Sequence, residues 1–438
     1  MDGRPLPPGP AGSPITGNLA AYTEDPLGFL LRCALEHGDV VRLSRGSFLV
    51  SHPELARRVL HDKEGTFEKK DPVRHRNHSA FPASVMNSAG QDWQDKKHSL
   101  QPALQPAMLH AALERSASAL DAFVEAWRHP PPDIDVRQAM QRLCMDMGSA
   151  ALLGMPLQDA EAARILQTIE AIMVLTRSPV RFPAFVPTPA NLRLRRARAG
   201  LDADLERIIA RYRDASPRPR CLLGTLLEHD PGPGASAWLR DELATMVMSG
   251  LEPMADALTW TFHLLSLHGD VQQRLADEAQ EKAAAGTGHG VVTGAVPGFA
   301  SAVVQESLRL YPPAWMTARI AVRDTTLGGF RVPAGTQLNV SPWVIHRDPR
   351  FFERPNAFLP QRWMDAACDA AVRQAYMPFG SGPRKCIGDQ LALRQITDAV
   401  VAVVRAFRLS PRPGAEVRPY PALVLRPLGV QLRVEPRA

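Results

Sequence analysis

At 438 residues, with 45% hydrophobic and 22% charged side chains, the chain can bury a large core and has the composition of an ordinary globular protein. Its net charge of +6 is mild and contains no lysine or arginine block, which argues against a nucleic-acid partner and suits an acidic protein at least as well. Five scattered cysteines (Cys33, Cys144, Cys221, Cys368 and Cys386) with no C-x-x-C pair argue against a disulfide framework and a structural zinc site, and for a reducing compartment. The opening MDGRPLPPGPAGSPITGN has neither a membrane-spanning apolar run nor a signal core, so a cytoplasmic location without a membrane anchor is expected.

Residues 1–20, rich in proline and glycine, are expected to be extended, and 21–438 to form a single domain. PLGFLLRCALEHG reads as a helix. The alternating DVVRLSRGSFLVSH reads as a hairpin, with Val41 and Leu43 on one strand, Phe48 and Val50 on the next, and Arg45-Gly46 at the turn. Residues 100–213 are mostly helical in pattern, broken by prolines near 129–132 and 179–189, and 214–237 read as a polar surface loop. A long helix is predicted over about Ala235–His268, which at ~1.5 Å per residue spans about 50 Å. FASAVVQESLRL reads as a helix stopped by Pro312 and Pro313. Short strands are expected over 318–343, an ordered coil over 346–378, a helix after Cys386, and a C-terminal hairpin in ALVLRPLGVQLRVEP. Helix dominates, with a minor β region.

One cysteine stands in an unusual setting. Phe379, Gly380, Gly382, Arg384, Cys386 and Gly388 form F-G-x-G-x-R-x-C-x-G, running into a predicted helix. A helix N-terminus and backbone N–H groups favour thiolate over thiol. The glycines allow a large group to approach the backbone, and Arg384 presents a fork for a carboxylate. A single cysteine is more often a buried, inert core residue, but a thiolate with one open side beside an arginine suits heme iron.

The loop and the motifs around it resemble the cytochrome P450 family of heme-thiolate monooxygenases. Glu306-Ser307-Leu308-Arg309 matches the family's Glu-x-x-Arg helix, its i,i+3 spacing placing both charges on one face. Pro360-Gln361-Arg362-Trp363 matches the coil that supplies the third member of that ion cluster. HRDPRFFERPNAFLPQRW resembles the coil before the cysteine loop, WMTARIAVRD the strand carrying a propionate-binding arginine (here Arg319), and GQDWQDKKHSLQPAL the helix carrying Trp-x-x-x-Arg. PPGPAGSPITGN resembles the family's proline-rich leading segment. The resemblance covers about residues 7–430 and implies the P450 fold, with a long central helix over heme b and the cysteine loop below it.

Two departures from the family pattern matter. Lys97 stands where an arginine usually follows Trp93 by four residues; a lysine neutralises a propionate as a point charge but cannot clamp it, and His98 is a possible assistant. The long helix reads Ser249-Gly250-Leu251-Glu252-Pro253 where the family has small-Gly-x-acid-Thr. Pro253 supplies no hydroxyl, removes an N–H, and frees the Ser249 carbonyl. Three sources of the missing function are open: the Ser249 hydroxyl one turn earlier, a hydroxyl or water brought with the substrate, or a reaction that needs no such relay.

The resemblance implies that Cys386 is the iron ligand and that its electron donation promotes O–O cleavage. It implies that Arg384, Arg319, Trp93 and Lys97 or His98 hold the propionates, that Phe379, Gly380 and Gly388 shape the sulfur's surroundings, and that Glu252 serves proton delivery. By carry-over, residues 74–90 form a lid and 172–190 a roof. Met246, Gly250, Met254, Ala314, Trp315, Met316, Ala422 and Leu423 line an apolar pocket, with Glu306, Arg309 and Arg362 as the structural cluster. The expected activity is insertion of one oxygen atom from O2 into an apolar small molecule such as a terpenoid. Electrons would come from NAD(P)H through a reductase and an acidic ferredoxin docking at Arg384-Lys385 and Lys96-Lys97. A monomer is expected. The alternatives are a peroxide-driven, coupling or desaturating enzyme of the same fold, and a non-catalytic heme sensor or carrier.

Overall fold

The protein is described by a computed structural model covering residues 3–13, 16–69, 80–128, 134–177, 182–230, 232, 236–284, 298–364 and 370–437. Internal contacts divide it into two compact units: Met1–Asp71 with Gly294–Ile387, and Pro72–Thr293 with Gly388–Ala438.

The first unit is built on a five-stranded sheet. Val40–Ser44 and Ser47–Val50 form the expected hairpin, with Val41 opposite Leu49. Ser47–Val50 then pairs in parallel with Gln337–Val340, which pairs antiparallel with Thr317–Ala321, itself paired with Phe67–Glu68. Alternation along these strands buries Phe48, Val50, Leu338, Val340 and Ala321 in one core with Phe352, Trp363 and Met377. The helix Pro26–His37 starts on proline, with the Asp25 carboxylate accepting the Gly28 N–H, and stops at Gly38, whose φ of 93° favours glycine. Phe299–Leu310 ends before Pro312 and Pro313, as the sequence predicts.

The second unit is organised around the helix Ala237–Leu267. The Ser236 hydroxyl accepts the Leu239 N–H at its start, and the helix runs unbroken through Pro253. Most of its residues are buried, and the helices Val136–Leu152 and Asp389–Ala406 pack against it. A helix apolar on most faces belongs in the middle of a core. The Trp260 indole N–H donates to the Leu425 carbonyl at 3.2 Å, tying the C-terminal region to this helix.

Three local readings are corrected. Residues 214–237 are not one loop: Leu222–His229 is a helix burying Leu222, Leu223 and Leu226, because a leucine stripe outweighs the flanking prolines. The C-terminal segment is not a hairpin. Leu425–Leu428 pairs with Arg418–Pro421, whereas Gln431–Pro436 pairs with Phe407–Pro411 and Ile134–Asp135. Gly429, at φ 76° and with a Cβ position only 2.1 Å from the Glu416 carbonyl oxygen, lies where the chain passes from one sheet to the next. Within 346–378, a 3₁₀ turn at Pro360–Trp363 and a helix at Ala370–Ala375 interrupt the coil.

Candidate active site

In the first unit the cysteine loop is a series of tight turns. The Gly380 N–H donates to the Met377 carbonyl at 3.0 Å, Lys385 N–H to Gly382 at 3.0 Å, and Cys386 N–H to Phe379 at 2.9 Å. Gly380 and Gly382 sit at φ 74° and 77°, where a side chain is strained. Gly382 also has no room for one: a Cβ there would lie 2.3 Å from the Leu60 carbonyl oxygen. His61 Nε2, one residue on, meets Ser381 Oγ at 2.6 Å, so the loop is docked on the end of the Pro53–Leu60 helix. Cys386 is exposed, whereas Cys33, Cys144 and Cys221 are buried. Among the described residues, nothing beyond their chain neighbours lies within 4 Å of the Cβ positions of Gly380 and Gly388. An accessible thiol beside open glycine backbone, three residues before a helix at Asp389, fits a flat ligand bound through sulfur.

Beside the cysteine lies a group of cations that sequence reasoning only half found. Arg319 is buried, and burial lowers its pKa. Arg384 falls to about 10 through burial and the nearby charge of Arg319, offset in part by Glu68. Lys69, which no motif singled out, falls to about 8 through burial and the charges of Arg384 and Arg319. Three mutually repelling cations in a desolvated place fit a group bearing negative charge, as the carboxylates of heme would. In the sequence Lys69 stands in the run FEKK, outside every motif read above. Only the sheet pairing of Phe67–Glu68 with Thr317–Ala321 brings it to Arg319.

The Glu-x-x-Arg cluster forms as its spacing implies. Glu306 Oε1 accepts from Arg309 Nη2 at 2.8 Å, Arg362 Nε at 3.0 Å and Leu359 N at 3.0 Å. Its Oε2 accepts from Arg309 Nε at 2.9 Å and from the Trp363 indole at 2.8 Å. Trp363 and the Leu359 amide were not read from sequence. Arg309 also donates to the His346, Pro355 and Ala357 carbonyls. Burial and the Arg309 charge hold the His346 pKa at about 3. The neutral ring bridges the Arg309 carbonyl to the Met377 N–H, at 3.0 and 2.9 Å, so this cluster anchors the start of the cysteine loop.

In the second unit, on the helix Gly90–Leu100, Lys97 Nζ sits 5.0 Å from the centre of the Trp93 ring, so these two share a face. His98 is exposed and, at about 100° per residue, lies about 140° around the helix from Trp93; it does not accompany them. Lys96 is taken up by Asp92 and Ser88, at 2.8 and 2.7 Å. Of the four basic residues expected at a docking face, Lys385 is exposed and Arg384, Lys96 and Lys97 are half-buried.

On the long helix, Met246, Ser249 and Pro253 are half-buried and Gly250 is exposed. At ~100° per residue these four lie within about 100° of one another, an open stripe on a mostly buried helix. Glu252 is not a solvated helix glutamate. It is buried, and both its oxygens are engaged: Oε1 by Gln141 at 2.6 Å, Oε2 by Arg137 at 2.5 Å and Arg426 at 3.3 Å. Arg137 also donates to Asp256 at 2.8 Å, and burial raises the Asp256 pKa to about 7. Arg137, Gln141 and Arg426 were not found in the sequence, because no local pattern links them to Glu252; Asp256, at i,i+4 on the same helix, had a local signal that went unread.

The pocket residues divide between the units. Met246, Gly250, Met254, Ala422 and Leu423 belong to the second, and Ala314, Trp315 and Met316 to the first. Leu423, Ala314 and Gly250 are exposed, Ala422, Met246 and Met316 half-buried, and Met254 and Trp315 buried. Residues 74–79 of the expected lid and 178–181 of the expected roof lie outside the described residues.

Over residues 7–434 the sequence matches the family model for cytochrome P450. It is 32% identical to cyclooctat-9-en-7-ol 5-monooxygenase of Streptomyces melanosporofaciens, covering 92% of this chain and 90% of that one. It is 29% identical to pentalenene oxygenase of Streptomyces avermitilis, covering 98% and 97%. Its fold is similar to a retinoic acid-bound cyanobacterial CYP120A1 (TM-score 0.82, 22% identity, 99% of this chain and 100% of that one). It is also similar to CYP175A1 of Thermus thermophilus (TM-score 0.76, 28% identity, 98% and 100%). The chain belongs to the cytochrome P450 family and is a monooxygenase that uses heme iron. Among the described residues no helix is long and apolar enough to cross a membrane.

Proposed function

We propose that this P450 binds heme b through Cys386 and hydroxylates an apolar terpenoid, with electrons from NAD(P)H through a reductase and a ferredoxin. The observation that carries the heme assignment is the exposed Cys386 beside the buried Arg319 and the half-buried Arg384 and Lys69. Bound heme would supply activation of O2, one atom going to substrate and the other to water. Arg319, Arg384 and Lys69 would neutralise its carboxylates. Gly380 and Gly388 leave its approach clear. Lys385 is the exposed cation suited to an acidic ferredoxin. The substrate class rests on the relatives: pentalenene oxygenase and a cyclooctat-9-en-7-ol monooxygenase are matched over nearly their whole lengths. Met246 and Gly250 of the open helix stripe suit an irregular apolar molecule.

A second reading is favoured by Pro253. Without the family's threonine hydroxyl, a peroxide-driven, coupling or desaturating reaction needs no relay at that point. The reduced, CO-bound spectrum of wild type and Cys386→Ser tests ligation: a strongly red-shifted Soret band in the wild type, lost in the variant, is expected. A band at the position of a neutral or histidine ligand would overturn it. Turnover of sesqui- and diterpene hydrocarbons and alcohols with a surrogate ferredoxin, compared with hydrogen peroxide, separates the two readings.

A further inference from the structure

The long helix carries a row of polar atoms that the ion network does not use. The Trp238 indole N–H, Glu242 Oε1 and Thr245 Oγ are buried and have no hydrogen-bond partner among the described residues. Glu242 and Thr245 are 0% and 5% exposed. Positions 238, 242, 245 and 249 fall within about 60° of arc at ~100° per residue, so the row runs along one face to Ser249. Axial steps are about 4.5 Å from 242 to 245 and about 6 Å from 245 to 249, spacings that a single bridging water closes. Buried polar groups left orphaned by protein are the places where ordered water is found.

The two ends of the row are set up differently. Glu242 Oε2 accepts the Val85 N–H at 2.7 Å, fixing the carboxyl and leaving Oε1 to the row. Neighbouring Met86 is exposed, so solvent is one residue away. The charged groups around Glu242 are Asp241 on its own helix, Lys96 of the Gly90–Leu100 helix, and Arg198 of the Pro189–Asp214 helix, which is bonded to Asp241. Burial raises the Glu242 pKa to about 7 despite Lys96 and the Val85 amide. At the far end, the Ser249 hydroxyl makes one long contact, 3.4 Å to the Met246 carbonyl, and Pro253 cannot donate to the Ser249 carbonyl. Ser249 lies in the open stripe; Glu252 is held by Arg137, Gln141 and Arg426.

We propose that Glu242, Thr245 and Ser249, joined by water, form the path that carries protons to the open stripe of the long helix, where the family's threonine is absent. The inference rests on the monooxygenase reading above. The Glu242 carboxyl gives its proton to the water shared with Thr245. The Thr245 hydroxyl accepts one proton and releases its own towards Ser249, which does the same into the stripe. Glu242 is then reprotonated from solvent beside residues 85–88. Glu242 and Thr245 act through Ser249 and need not touch substrate.

The test has a part that needs no turnover. A high-resolution crystal structure should show water bridging Glu242 Oε1 and Thr245 Oγ. Difference infrared spectroscopy should show a protonated-carboxyl stretch titrating near pH 7 that disappears in Glu242→Gln, a change that keeps an acceptor for Val85. In turnover, Glu242→Gln and Thr245→Val should keep the thiolate CO spectrum and the KM. They should raise the share of electrons lost as hydrogen peroxide by about tenfold, enlarge the solvent isotope effect, and shift the pH profile. Thr245→Ser should restore coupling. A dry Thr245, a Glu242 stretch titrating below pH 5, or wild-type coupling in both variants would overturn the path. A wild type lacking the thiolate CO band would instead overturn the monooxygenase reading, and the water and infrared results would still decide the path.

Discussion

Two buried polar networks, one in each unit, follow opposite designs. Around Glu306 both carboxylate oxygens are saturated by five donors: two from Arg309, one from Arg362, one from the Leu359 amide and one from Trp363. Along the long helix, Glu242 Oε1, Thr245 Oγ and Asp256 Oδ2 are buried with no partner among the described residues. A saturated network has one arrangement and serves as a rigid mount, here for the start of the cysteine loop through His346. An unsaturated one leaves sites that water and protons can occupy. The difference separates a structural cluster from a functional one more sharply than burial does, since both are buried.

The largest expected effect is in the saturated cluster. Glu306→Ala leaves Arg309 and Arg362 facing each other and strands the Trp363 indole, a loss of ~3–5 kcal/mol. Denaturant unfolding should show it, with failure to retain heme. A loss below ~1 kcal/mol would mean that the cluster is not the mount described. Next, Gly382→Ala meets the Leu60 carbonyl at positive φ and should cost on the order of 1–3 kcal/mol. Its signature is heme loss rather than global unfolding.

The pH dependence of stability should have opposite signs in the two networks. His346 is held neutral, its pKa lowered to about 3 from 6.5. The unfolded chain takes up a proton that the folded one refuses, so stability falls as pH drops from about 6.5 towards 3. Glu242 and Asp256 are raised to about 7. The folded chain then holds protons that the unfolded chain releases near pH 4, and stability falls as pH rises from about 4 to 7. Asp256→Asn should flatten that second slope and leave the first; a slope unchanged in both Asp256→Asn and Glu242→Gln would refute it.

Lys69→Met should weaken heme retention severalfold through the loss of one cation of three, measured by heme transfer to an apo-globin acceptor. The smallest stability effect is expected from Thr245→Val. Replacing an unpartnered buried hydroxyl by a methyl group should leave stability unchanged or raise it by ~1 kcal/mol. Trp363→Phe, which removes a made bond to Glu306, should lower it by ~1–3 kcal/mol.

The sequence by itself determined the features that are local. Cys386 in its glycine turns, the i,i+3 pair Glu306 and Arg309, the Trp93–Lys97 face and the long helix with proline at 253 are all read within a few residues, because helix and turn geometry fixes what lies near what at short range. The family follows from those motifs in order. Tertiary structure alone decided what each group meets across the fold. Lys69 joins Arg319 only through strand pairing. Glu252 meets Arg137, Gln141 and Arg426 from segments more than 100 positions away in the chain. The C-terminal strands part into two sheets where the sequence pattern suggested one hairpin. Whether a buried oxygen is satisfied depends on donors brought by distant segments, and periodicity carries no information about those.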